Sequence, residues 1–174
     1  MVDTEQYKGY DKVLQVLPEL VKAYPGIRYL MVGKYDEAEK KRLDDMITGL
    51  GILETVIFAG FIADEELASH FKLADIFVMP SEKEGFGLVF SEAMFYGLPV
   101  IAGNRDGSAD ALCNGELGLL IDPGNKSELV IAIQKMLNNR QAYLPDHEKL
   151  IAHFGYAGYK DKFREVFERL GVDS

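Results

Sequence analysis

The sequence predicts a doubly wound α/β layer: a parallel sheet with helices on both faces. Two observations carry that expectation. Short apolar runs of about four residues recur along the chain and alternate with longer stretches of helical period. Each run is apolar at successive positions, the pattern of a strand buried on both sides rather than on one. Runs of that kind separated by helices build a covered parallel sheet, and right-handed crossovers wind it into a Rossmann-like layer.

The elements follow in order. A helix fits Tyr10 to Ala23, with Val13, Leu14, Val16, Leu17, Leu20 and Val21 on one broad face. Pro25 and Gly26 end it. Tyr29-Leu30-Met31-Val32 reads as a strand stopped by Gly33. Glu37 to Leu50 is helical, with Leu43, Met46, Ile47 and Leu50 on one side and Gly51 at the C-cap. Val56-Ile57-Phe58 is the next strand, before Gly60, and Asp64 is placed to N-cap a helix to about Leu73. Ile76 to Met79 is a strand closed by Pro80 and Ser81. Gly87 to Tyr96 is a helix stopped by Gly97 and Pro99. Val100-Ile101-Ala102 and Gly118 to Ile121 complete the strands, the last turning at Asp122-Pro123-Gly124. Ser127 is expected to cap a helix through Leu137, and a final helix covers Tyr159 to Leu170. Ligands bind such sheets at the carboxyl ends of the strands. The loops that matter therefore begin at Gly33, Gly60, Pro80, Gly103 and Asp122.

The 174 residues suit one domain, residues 1–174, with 48% apolar and 27% charged content. A formal net charge of −9 provides no footprint for nucleic acid or anionic lipid. The single cysteine, Cys113, excludes an internal disulfide, and beside Ala111 and Leu112 it reads as a small hydrophobe. No apolar run reaches the length of a membrane span, and Met1 to Gln6 lacks a signal-peptide pattern. The expected location is the cytoplasm.

The richest loop is Ser81-Glu82-Lys83-Glu84-Gly85-Phe86-Gly87, which runs from a strand into a helix. Two glycines at a helix start allow close backbone approach to a ligand, and the amides and dipole there favour an anion such as phosphate. Glu84 precedes the glycines and Glu92 lies on the following helix. Carboxylates so placed can accept hydrogen bonds from a diol such as a ribose. Taken singly, a helical glutamate is usually solvated and a glycine loop is usually a turn. Metal ligation is disfavoured, because no His or Asp cluster accompanies the two acids.

The stretch Glu84-Gly85-Phe86-Gly87-Leu88-Val89-Phe90-Ser91-Glu92-Ala93-Met94, continued by Gly97-Leu98-Pro99-Val100-Ile101-Ala102, resembles the signature of GT-B-fold retaining glycosyltransferases of family 4 (glycosyl transferases group 1). That signature carries two glutamates separated by seven residues. Lys8-Gly9, Val32-Gly33, Val56 to Phe61, Ala74 to Ser81 and Asn114 to Ile121 resemble further segments in the same order, so the likeness covers most of the chain. It implies the C-terminal, donor-binding half of a hexosyltransferase of carbohydrate biosynthesis. Lys8 would contact the donor diphosphate and Glu84 the hydroxyls of the transferred sugar. Gly85, Phe86, Gly87, Leu88 and Val89 would line the sugar and phosphates, Glu92 would hold the ribose, and the backbone near Phe61 and Ile62 would meet the base. The donor would be a UDP-, GDP- or ADP-sugar, with no metal or other cofactor. Glu84 would position rather than attack.

The pattern is incomplete at the N-terminus. Such enzymes have an acceptor domain that usually supplies a catalytic histidine, and His70, His147 and His153 sit in no matching motif. Nor is there a strand ending in Gly-Arg shortly before Lys8-Gly9. The expectation is a fragment, a truncated reading frame or an engineered piece: five strands with a gap or rearrangement, inactive alone, and peripheral to a membrane at most in the full-length enzyme. The loop Gly103 to Asp110 departs from the pattern and reads equally as a ligand contact or a plain turn. The alternatives are a nucleotide-sugar epimerase, a non-catalytic nucleotide-sugar-binding or assembly module, and a flavodoxin- or receiver-like domain. The first lacks its acid/base set and the last its acidic first-strand end.

Overall fold

The computed structural model describes residues 3–156 and Lys160. Five strands, β1 (Tyr29–Val32), β2 (Val56–Gly60), β3 (Phe77–Met79), β4 (Val100–Gly103) and β5 (Leu119–Ile121), alternate with helices. The helices are α1 (Tyr10–Ala23), α2 (Glu37–Leu50), α3 (Asp64–Leu73), α4 (Leu88–Phe95), α5 (Ser108–Ala111), α6 (Lys126–Asn138) and α7 (His147–Phe154). Every strand pairing is parallel. The strands form two sheets, β1-β2 and β3-β4-β5, and among the described residues no strand bridges β1 and β3. The expected interrupted five-stranded layer is therefore what forms.

Helices cover both faces. Leu14, Leu17 and Leu20 of α1, Leu43 and Ile47 of α2, and Ile133 and Met136 of α6 pack with Met31, Ile101 and Ile121 on one side. Phe90 and Met94 of α4, Phe71 of α3, Ala111 of α5 and Leu150 of α7 pack with Val100 and Ala102 on the other. Adjacent residues of β4 thus face opposite layers and all are buried, which is why the strand is apolar at every position.

Local signals explain most boundaries. Asp36 caps α2 by accepting from the Glu39 amide at 2.7 Å, and Gly51 ends it in the left-handed region at φ 68°. Two expected caps are corrected. Asp64 is the first residue of α3 rather than its cap; it joins Glu65 and Glu66 in a first turn whose dipole favours acids. Ser127 lies inside α6, where Asn125 takes the capping role by accepting from the Glu128 amide at 3.1 Å. Helices α5 and α7 are additions to the elements that the sequence pattern predicts. The helix expected over Tyr159 to Leu170 lies outside the described residues.

A polar tie joins α1 to α2. Arg42 donates to Asp11 Oδ2 and Oδ1 at 2.9 and 2.7 Å and to Glu39 Oε2 and Oε1 at 2.8 and 2.7 Å. Tyr10 donates its hydroxyl to the buried Glu39 at 2.6 Å. The Arg42 guanidinium holds Glu39 below its ordinary pKa against the opposing effect of burial. Burial, with the Glu39 carboxylate beside it, pushes the Tyr10 hydroxyl up.

Candidate donor site

The loop after β3 turns at once, with the Ser81 amide donating to Met79 O at 2.9 Å, and delivers the chain to the first turn of α4. Gly87 is the cap of α4 at φ 75°. A Cβ there would lie 2.5 Å from the buried Phe90 ring, so both its angle and its bareness are required. Helix α4 thereby starts with Leu88 and Val89, whose amides have no partner within the helix.

Asp106 organises this loop from outside it. Its Oδ2 accepts from the Glu84 amide at 2.7 Å and from the Ser81 hydroxyl at 2.8 Å. Its Oδ1 accepts from the Ser108 amide at 3.0 Å, and the Gly107 amide donates to Glu84 O at 2.9 Å. A Cβ on Gly107 would sit 1.9 Å from Gly85 O, and one on Gly103 would sit 2.0 Å from Ser81 O. The loop Gly103 to Asp110, read beforehand as a ligand contact or a plain turn, is thus a brace for Ser81 to Gly85. The signal for it was local: Asp followed by Gly and Ser, whose carboxylate accepts from the amide two residues on.

Burial alone would raise the Asp106 carboxyl, but hydrogen bonds from Ser108, Glu84 and Ser81 hold it below its ordinary value. A carboxyl depressed by folding contributes stability above the unfolded value, about 4, and loses it as pH falls through the lower folded value. Thermal melts from pH 7 to 3 should show this loss below about pH 4 in the native chain, and a smaller one in Asp106→Asn.

The other half of the site comes from the start of α1. Gly9, at φ 80°, lets this turn meet β3: a Cβ would fall 2.2 Å from Pro80 O. The Glu82 amide donates to Tyr7 O at 2.9 Å, and Lys12 Nζ lies 2.9 Å from Glu82 Oε1. These contacts hold the turn that carries Lys8 against the loop after β3. Lys8, Glu84, Gly87, Leu88 and Val89 all line one cavity of about 1550 Å³ that runs down between β1 and β3. The remaining candidates lie outside that lining. Gly85 is exposed, Phe86 is exposed with its ring 5.9 Å from that of Phe154, and Glu92 is exposed on α4. Phe61 and Ile62 follow β2; Phe61 is exposed, with Lys34 Nζ 4.7 Å from its ring centre.

Of the histidines, His70 places its Nδ1 2.9 Å from Glu66 O and lines the lower cavity, while His147 and His153 lie against Phe95 and Phe154. Among the described residues no three His, Cys, Asp or Glu side chains gather as metal ligands. No described helix is long and apolar enough to cross a membrane.

Residues 3–161 match the model of the family described as glycosyl transferases group 1. The chain belongs to that family. Over 137 residues it is 33% identical to the GDP-mannose-dependent alpha-(1-6)-phosphatidylinositol monomannoside mannosyltransferase of Mycolicibacterium smegmatis, covering 75% of this chain and 35% of the relative. It thus spans about a third of that relative's length. Among solved structures it resembles Anabaena HepE in complex with UDP, with 25% identity and a TM-score of 0.78 over 95% of this chain and 46% of that one. It also resembles the C-terminal domain of a group 1 protein, LpcC, from Francisella tularensis. There the identity is 27% and the TM-score 0.69, over 94% of this chain and 83% of that one. The layer described above is the Rossmann-like C-terminal half expected of a group 1 glycosyltransferase.

Proposed function

We propose that this group 1 domain holds the nucleotide-diphosphate sugar for a retaining, family 4 glycosyltransferase whose acceptor is bound by polypeptide outside these 174 residues. The observation that carries the reading is the braced Ser81–Gly87 loop, which directs the start of α4 into a cavity that Lys8 and Glu84 also line. The mannosyltransferase relative is named for GDP-mannose and the HepE structure holds UDP, which supports a nucleotide-sugar donor.

In this reading the amides of Gly87, Leu88 and Val89 and the Lys8 ammonium receive the diphosphate, with the helix dipole adding to the attraction. The sugar–phosphate bond breaks, its electron pair leaves with the diphosphate, and the same charges stabilise that leaving group without a metal. The acceptor oxygen bonds to the sugar on the face just vacated and gives its proton to the departing phosphate. Glu84 orients sugar hydroxyls, Glu92 holds the ribose, and Gly85, Phe86, Phe61 and Ile62 complete the cleft around sugar and base.

Titration calorimetry with UDP, GDP, ADP and their sugars should show binding of one base class. Glu92→Ala should weaken it by about 1–3 kcal/mol, through loss of hydrogen bonds to a charged group. The full-length parent failing to bind any of these nucleotides while folded would sink the proposal.

A further inference from the structure

We infer that Glu39, buried on α2, is a positioning residue for Lys8: it grips the turn Asp3–Lys8 and so presents the Lys8 ammonium to the donor diphosphate. That role presupposes the donor reading above, in which Lys8 receives the diphosphate. Glu39 is 2% exposed, and a carboxylate so far from water is costly unless its oxygens are paired. Its partners come from three places. Arg42, on the same helix, donates to Oε2 and Oε1 at 2.8 and 2.7 Å. The Tyr10 hydroxyl, from the first turn of α1, donates at 2.6 Å. The Gln6 side chain, from the turn Asp3–Lys8, hydrogen-bonds to the same carboxylate. One buried group therefore holds the chain two residues before Lys8 and two residues after it. Arg42 adds a further hold by donating to both oxygens of Asp11.

The two helices do not need this network in order to pack. Val13, Leu14 and Leu17 already share an apolar core with Leu43 and Ile47, and exchanging a buried ionic group for apolar ones is often neutral or stabilising. Apolar packing of α1 cannot hold the turn ahead of it, and the network does. Its place fits that task. Glu39 lies in the first turn of α2, at the carboxyl end of β1, where ligands bind such sheets. A tie that served packing alone could sit anywhere along the two helices. The segment that carries Lys8 is thus gripped from two sides. From β3 come the bond of the Glu82 amide to Tyr7 O, the contact of Gly9 with Pro80 and the Lys12–Glu82 pair. From α2 come Glu39 and Arg42, on Gln6, Tyr10 and Asp11. Lys8 lies between these anchors and lines the cavity together with Tyr7, Tyr10 and Glu84. A lysine head rides on a flexible stem, and ordering it on binding costs affinity. Fixing the backbone beneath the stem lowers that cost.

The test compares UDP, GDP and ADP with uridine, guanosine and adenosine by calorimetry on the full-length parent. Lys8→Met should weaken the diphosphate of the preferred base by about tenfold, through loss of a charged hydrogen bond, and leave its nucleoside unchanged. Glu39→Gln should show the same diphosphate-only loss, because the amide keeps the size of the side chain but not its charge pairing with Arg42. Gln6→Leu cuts the link to the turn while Arg42, Tyr10 and Asp11 keep their bonds, and should weaken the diphosphate by about threefold. In the double variant of Glu39→Gln with Lys8→Met the losses should not add, since no ammonium remains to be positioned. Melts recorded alongside establish which variants are folded; if Glu39→Gln is not, Gln6→Leu paired with Lys8→Met makes the same comparison. Equal weakening of diphosphate and nucleoside would make the network purely structural and overturn the inference. So would unweakened binding in Glu39→Gln and Gln6→Leu, or losses that add in full. A folded native parent that binds no diphosphate would overturn the donor reading and this inference together, whereas diphosphate binding by the native parent with unchanged discrimination in the variants would overturn this inference alone.

Discussion

Gly107→Ala should cost about 2–3 kcal/mol of stability, an overpacking penalty against backbone that has no room to move. The added methyl would fall 1.9 Å from Gly85 O and 2.5 Å from Gly85 C, in a loop already held by Asp106. The backbone at Gly107, with φ −62°, is ordinary for any residue, so the whole effect is steric. Gly49→Ala provides the comparison: nothing lies within 4 Å of its Cβ position near the end of α2, so the change should be neutral or slightly stabilising. Thermal melts distinguish the two, with a drop of about 5–10 °C for Gly107→Ala alone. If the loop also serves the donor, Gly107→Ala should depress nucleotide affinity beyond the effect of Glu92→Ala. A Gly107→Ala chain as stable as the native one would mean that the brace does not hold as described.

Arg42→Met should be comparably severe, at about 2–4 kcal/mol, because it strands a charge rather than merely removing a contact. Glu39 is 2% exposed and would keep Tyr10 and Gln6 as its remaining partners among those named above. The pH dependence identifies the cause. Glu39 is held low in the native chain, so its contribution is present above the unfolded carboxylate value and is lost as pH falls through the folded one. In the variant the guanidinium is gone and burial favours the neutral acid. The deficit should therefore be largest near pH 7 and shrink toward pH 4 in chemical denaturation. Replacing Glu39 by leucine in the same chain should recover part of the loss. A deficit independent of pH would assign it to lost packing of the arginine stem instead.

What the sequence made legible follows from the range of each interaction. Helix α1 and strand β1 fall on the bounds read beforehand, because Pro25, Gly26 and Gly33 punctuate the chain where the apolar pattern stops. Helix α5 has four residues, barely more than one turn, so no period could announce it. The cap of α6 was misplaced by two residues because Asn125 and Ser127 are both good caps. The extended backbone at Asn125, φ −104° and ψ 95°, decides between them. The brace at Asp106 and the tie from Arg42 to Asp11 join residues 25 and 31 positions apart. No local pattern displays pairs so distant, although the turn at Asp106-Gly107-Ser108 was visible in itself. Glu84 and Lys8 were each unremarkable alone; the contact of Gly9 with Pro80 is what brings their segments together.

The interrupted layer also bears on how the molecule comes apart. Among the described residues, β1 and β2 share backbone hydrogen bonds with each other and β3, β4 and β5 among themselves, while the two groups communicate through the side chains of α1 and α6. Side-chain packing transmits cooperativity less stringently than a continuous ladder does. The 29–60 unit should yield first on heating, leaving the β4-centred unit, whose strand is buried throughout, to melt later. Calorimetry would register this as a transition broader than its heat implies, with a calorimetric enthalpy exceeding the van't Hoff value.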